Sequence, residues 1–293
     1  MLKIVEGGFR ISTENGREIL TIQSERIKEC MDFFIKSKYD GIRVDPFFGF
    51  NFTSLNFLKD YSKLWKEIKY ISIAEEIVDI TAMVLLTELR YISIAQKNPK
   101  IDFSHFPMLE NLITSGGGKI KNLELCEKLE SLTIYYYNSK SKDFSEIPSV
   151  IWIKEIHISN SSVINLNGLE KFNALEKASF HYCTKLEELC CLDNASNTLT
   201  FLEFDHCKKI RNHDYVENIK NIKVLALNDC GSIPSFQFVS KMLALKSIRF
   251  VGTNVLDGDL TPLLRLDYAG FSNKRHFSHT FEDIKLLNEK RTG

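Results

Sequence analysis

The sequence predicts an α/β solenoid, a curved horseshoe whose short parallel strands line a concave face. Loops, 3₁₀ turns and short helices return the chain on the convex side. Three observations predict it. One phrase is written four times in succession: Leu175-Glu-Lys-Ala178-Ser-Phe180-His-Tyr-Cys183, Leu199-Thr-Phe-Leu202-Glu-Phe204-Asp-His-Cys207, Ile222-Lys-Val-Leu225-Ala-Leu227-Asn-Asp-Cys230 and Leu245-Lys-Ser-Ile248-Arg-Phe250-Val-Gly-Thr253. Weaker copies of its centre precede it at near-constant spacing. The first 39 residues are patterned differently, as suits a cover for the open end that a stack of repeats presents.

From the N-terminus, Ile4-Val5, Phe9 to Ile11 and Ile19 to Ile22 flank an Asn15-Gly16 pair, which predicts a hairpin over residues 1–24. Ser24 before Glu25 to Lys38 predicts a capped amphipathic helix with Ile27, Cys30, Met31, Phe34 and Ile35 on one face. Asp40 to Val44 is the opening strand of the coil. The phrases Tyr70-Ile-Ser-Ile-Ala74 and Tyr91-Ile-Ser-Ile-Ala95 follow, then Leu112-Ile-Thr114, Leu132-Thr-Ile134 and Ile156-His-Ile158. The first inward residues, Ile71, Ile92, Leu112, Leu132, Ile156, Ala178, Leu202, Leu225 and Ile248, recur every 20–24 residues. Leu264 to Tyr268 is the expected last strand, and the segment through Phe281 to Leu287 the closing cap. The expected organisation is a cap over 1–39, a solenoid over 40–268 and a C-terminal cap or tail over 269–293.

Each copy reads L-x-x-L-x-L-x-x-(C/T), the strand half of a leucine-rich repeat. The most regular return segment, Ile164-Asn-Leu166-Asn-Gly168-Leu169-Glu-Lys-Phe172-Asn-Ala-Leu175, resembles the bacterial internalin-type repeat I-x-x-L-x-G-L-x-x-L-x-x-L, with Phe172 in a leucine place. Other copies depart from it, with Pro99, Pro107, Pro148 and Pro234 interrupting. The resemblance covers residues 40–265 and implies a leucine-rich-repeat fold of bacterial type. It names no ligand, because function lives in sites grafted onto a fold.

Strand side chains alternate faces, so residues between the inward leucines point outward. Tyr70, Tyr91, Tyr135 and Phe201 are then aromatic rings on a face that the fold does not bury. His157, His181, Glu203, Asp205, Asn228 and Arg249 form a mixed polar centre beside them. These ten residues are the expected contact surface for a protein partner, since aromatic anchors and charge register dominate such contacts.

Composition narrows the alternatives. Lys+Arg and Asp+Glu both number 38, so no global charge favours nucleic acid or an anionic membrane. The apolar run from Ile80 to Leu89 is too short to span a bilayer, and the first residues lack a signal-peptide core. The expectation is a cytoplasmic monomer with reduced thiols. The sequons at Asn51, Asn160 and Asn194 then carry no weight.

Cys183, Cys207 and Cys230 end the strand phrase, where a small buried polar residue serves the repeat, and no C-x-x-C pair suggests a metal. Cys190 and Cys191 have no such account. Ser159, His181 and Asp205 share a column, yet ladder-paired strands offer a nucleophile no oxyanion donors. Ser115-Gly-Gly-Gly-Lys119 lacks phosphate-loop spacing, and Lys274-Arg275-His276 is too short a basic run for nucleic acid. The expected function is non-enzymatic protein binding without catalytic residues, metal or cofactor, with an intracellular immunity or inhibitor role as one form. A secreted host-directed effector or adhesin is the first alternative; a hydrolase or cysteine-dependent transferase is the second.

Overall fold

The structure, a computed structural model, describes residues 2–14, 16–116, 120–192, 195 and 197–292, with side chains to 288. Asn15 of the Asn-Gly turn, residues 117–119 of the glycine run, and Asn194 and Ser196 of one sequon lie outside the described residues. The chain forms two compact units, Met1–Leu132 and Thr133–Gly293.

In the first unit, β1 (Leu2–Ile4) pairs antiparallel with β2 (Arg10–Glu14), and β2 with β3 (Arg17–Thr21). The chain then crosses through α1 (Ile27–Lys36) and returns parallel to β3 as β4 (Gly41–Val44). A parallel neighbour requires such a crossover, and the helix supplies it. β5 (Tyr70–Ile73), β6 (Tyr91–Lys97) and β7 (Asn111–Ser115) continue the parallel ladder in chain order.

The expected hairpin and helix are present, with two corrections. Ser24 does not cap α1: it opens a 3₁₀ turn, and its Oγ accepts from the Asn51 N–H at 2.7 Å. Cys30, Met31 and Phe34 are buried, whereas Ile35 lies on the solvent side at 56% exposure.

β8 (Ser131–Tyr135) carries the division between the units. The second unit runs through β9 (Glu155–Ser159), β10 (Lys177–His181), β11 (Phe201–Asp205), β12 (Val224–Asn228), β13 (Ser247–Arg249) and β14 (Tyr268–Gly270). From β9 to β14 every pair is parallel and in register, so Ile156, Ala178, Leu202, Leu225, Ile248 and Ala269 stand in one inward row. The last strand is therefore later than Leu264–Tyr268. Residues Thr261–Arg265 form a 3₁₀ turn, and the short Ala269, not a leucine, completes the row.

The next inward row stacks Phe180 on Phe204 at 5.2 Å between ring centroids, and Phe250 on Phe271 at 4.9 Å. Among the described residues, returns after β4 are 3₁₀ turns and loops, without the short α-helices also expected there. In the most regular return, Val163, Leu166, Leu169, Phe172 and Leu175 are buried and Ile164 is 44% exposed, so Val163 fills the isoleucine place. This is a leucine-rich-repeat fold.

α2 (Phe281–Thr292) follows β14 and buries Ile284. Thr280 starts it with a reciprocal cap: its Oγ1 accepts from the Asp283 N–H at 3.1 Å, and its N–H donates to Asp283 Oδ2 at 2.9 Å. No helix among the described residues is long and apolar enough to cross a membrane.

One buried position in each unit bears on its stability. In the first, Tyr70 and Tyr91 stack at 3.8 Å with Ile19 beside them, and they need a glycine neighbour. A Cβ on Gly41 would lie 2.0 Å from the Tyr70 carbonyl oxygen. We expect Gly41→Ala to lower unfolding free energy by about 1–3 kcal/mol, as overpacking does, read from denaturant midpoints.

In the second, His213 occupies an apolar core position at 1% exposure, and neither ring nitrogen makes a hydrogen bond of good geometry. Burial holds its pKa down at about 4, against upward pulls from Asp214 and the Gly231 backbone. The unfolded ring takes its proton at about 6.5. The fold's preference for the neutral ring is thus intact above that value and is lost as pH falls towards about 4. The loss reaches at most about 3 kcal/mol. His213→Leu should flatten stability across this window in denaturant titrations at a series of pH values.

Candidate interaction surface

The outward face of the second unit is built from three columns fixed by strand register. Glu155, Lys177, Phe201, Val224 and Ser247 form the first. His157, Ser179, Glu203, Ala226 and Arg249 form the second, and Ser159, His181, Asp205 and Asn228 the third. The polar members join diagonally across columns. The Tyr135 ring meets His157 at 6.2 Å between centroids, and His157 meets His181 edge to face at 4.6 Å. His181 Nε2 lies 3.1 Å from Glu203 Oε2, to which Ser179 Oγ also donates at 3.5 Å. Glu203 Oε1 reaches Arg249 Nη2 at 3.6 Å. That last bridge skips a strand, and Ala226, buried between its partners in the column, is small enough to lie beneath it.

The electrostatics follow from this geometry. The hydrogen bond to Glu203 raises the His181 pKa, while burial and the neighbouring His181 charge lower that of His157. The same bond lowers the Glu203 pKa, so the network holds an ionised carboxylate beside a readily protonated ring. Two rings in edge contact resist carrying charge together, and His181 takes the proton first.

A second line of side chains runs along the strand ends. Tyr136, Asn160, Tyr182, His206 and Asp229 all have left-handed backbone, with φ between 46° and 57°. Their N–H groups donate to the Ser159, His181, Asp205, Asn228 and Val251 carbonyls at 2.8–3.0 Å, carrying the ladder one residue past each strand. Tyr182 stacks on His206 at 4.5 Å. His206 Nδ1 lies 2.9 Å from Asp205 Oδ1, and its Nε2 lies 3.9 Å from Asp229 Oδ2. Donor atoms of Asp205, His206 and Asp229 all fall within 4.8 Å of one another. The carboxylates face opposite ring nitrogens, so two carboxylates share one imidazole.

The structure relocates part of the expected surface. Tyr70 and Tyr91 are buried, at 1% and 7% exposure, and offer no ring face to a partner. They stack on each other, and the Tyr70 hydroxyl donates to Glu14 Oε2 at 3.4 Å, so the N-terminal strands take up this pair. Tyr135 is exposed, Phe201 and Asn228 are half-buried, and Asn228 Oδ1 accepts from the Val251 N–H at 3.1 Å. Ser159, His181 and Asp205 form no relay. Ser159 is buried and accepts from Asn160 Nδ2, His181 faces Glu203, and Asp205 faces His206.

Tyr136, Tyr182, His206 and Asp229 escape the strand alternation rule because they lie just beyond it. Their signal was Gly252, which fills the same place in the fourth copy with φ 76°.

No protein-family profile matches the chain, and no curated protein matches it. Among solved structures it is similar to the functional domain of InlJ from Listeria monocytogenes, described as including a cysteine ladder. That pair is 16% identical, covering 77% of this chain and 58% of the other, with a TM-score of 0.41. An internalin, InlF, from Listeria monocytogenes is 13% identical over 73% of this chain and 85% of its own, with a TM-score of 0.30. The plant peptide hormone receptor RGFR1, in complex with RGF2, is 10% identical over 79% and 47%, with a TM-score of 0.36. The chain thus spans little more than half the length of the InlJ domain. The fold assignment rests on the chain's own strands and register.

One prediction isolates the central pair. Glu203→Gln should drop the His181 pKa, read from imidazole proton shifts in an NMR titration. In the wild type the contribution of a raised histidine pKa is fully present below about 6.5, while Glu203 stays ionised, and fades as pH rises through the folded value. Glu203→Gln should remove that pH dependence.

Proposed function

We propose that the protein is a non-enzymatic binding module that holds a protein partner on the outward sheet face of its second unit. The observation that carries this reading is the coincidence of exposed rings with clustered carboxylates. Tyr135, Tyr136 and Tyr182 are 38%, 53% and 45% exposed, and Glu203, Asp205 and Asp229 adjoin them. Repeat solenoids present extended surfaces of this kind, and tyrosine supplies contact area at low entropic cost. The excess carboxylate along Asp205–His206–Asp229 suits a partner presenting arginine or lysine, whose cation can also lie over the Tyr182 ring.

The test is capture from the source cell's lysate by wild type and by a variant carrying Tyr182→Ala and Asp205→Lys. Loss of anchors of this type weakens binding by about 2 kcal/mol each, so retention of the partner should fall more than tenfold. Binding by wild type should also weaken with added salt. A partner held equally by both proteins would place the contact elsewhere and sink the reading.

A further inference from the structure

Two thiols stand apart from the rest. Cys30, Cys126, Cys183, Cys207 and Cys230 are buried, and burial pushes the Cys126 and Cys230 thiols up to about 12. Cys190 and Cys191 are half-exposed and consecutive. Neighbouring side chains point to opposite faces of a strand and diverge on a helix. Here they converge: Cys190 Sγ and Cys191 Sγ donate to the same atom, Asn167 Oδ1, at 3.2 and 3.0 Å. A left-handed Cys191, with φ 62°, accompanies the convergence, a conformation that L-residues avoid. The repeat ladder does not call for it, since these residues lie in a return segment away from the strands.

We infer that Cys190 and Cys191, with Asn167 Oδ1 beside them, form a bidentate site for a soft, thiophilic metal or metalloid ion. The geometry favours chelation over a disulfide. Consecutive Cα atoms lie about 3.8 Å apart, shorter than the roughly 4.4–6.8 Å that a relaxed disulfide needs. A soft ion bonded to each sulfur at about 2.3 Å bridges the pair without forcing the sulfurs into contact. Thiolates select such ions over hard ones. On loading, each thiol gives its proton to solvent, two sulfur–metal bonds form, and no electron changes hands. The Asn167 oxygen, released from two S–H donors, becomes free to face the ion.

The test uses phenylarsine oxide and cadmium on the whole reduced chain. The arsenical forms two sulfur–arsenic bonds, and its oxygen leaves as water with the two thiol protons. We expect intact mass spectrometry to show one arsenical per chain, retained through a monothiol wash and removed by 2,3-dimercaptopropanol. Cadmium should give a thiolate charge-transfer band in the ultraviolet. Cys190→Ser and Cys191→Ser should each weaken retention by about 100-fold, the usual gain from tethering two contacts. Unchanged thermal midpoints would show both variants folded.

The wild-type result decides by itself if they are not. No retained arsenical and no cadmium band would overturn the site. So would retention undiminished in both single variants, which would assign the adduct to the buried column. A chain two hydrogens lighter after mild peroxide, with no arsenical retained, would replace the ion site with a redox pair.

Discussion

The hydrogen bond that carries each of β8 to β12 one residue beyond its end is the constraint on which the rest depends. Left-handed backbone at Tyr136, Asn160, Tyr182, His206 and Asp229 turns each N–H onto a carbonyl of the next copy. The chain can then dive inward, where Cys207 and Cys230 donate their thiols to the Phe180 and Phe204 carbonyls at 3.3 and 3.4 Å. Thr253 Oγ1 serves the Leu227 carbonyl in the same way. Backbone groups at the strand ends are thus satisfied by the neighbouring copy. A single copy could not satisfy them.

The same turn creates the surface. A left-handed residue at a strand end presents its side chain at the rim of the sheet, so whatever stands there is displayed whether or not the fold needs it. Glycine would meet the backbone requirement with least strain, as at Gly252. Tyrosine at two of these places and histidine at a third spend conformational freedom on rings that add nothing to the core. With the diagonal chain from Tyr135 to Arg249, they gather aromatic rings and carboxylates on one face.

Much of the fold was legible because inward residues must be apolar at fixed spacing, and Ala178 to Ile248 keep that spacing. The last strand was misplaced because Leu264 and Leu266 mimic the motif, while the true inward residue, Ala269, carries little hydrophobic signal. Ser24 read as a cap because it precedes an amphipathic run, yet a contact distant in sequence, to Asn51, claimed its hydroxyl. The surface was half legible. Alternation gave the outward columns, but it could not say that the N-terminal strands would bury Tyr70 or that the rim beyond each strand was also displayed.

The bridge from Glu203 to Arg249 joins β11 to β13 over an alanine. Repeat arrays usually behave as one-dimensional chains in which each unit feels only its immediate neighbours. This contact is a second-neighbour coupling. When the C-terminal end frays, separation of β13 also takes away a charge that Glu203 uses, and Glu203 is the partner of His181 on β10. Strands β10, β11 and β13 therefore share one electrostatic unit that spans the alanine of β12. Melting of the array should be more cooperative across this stretch than a zipper of independent steps.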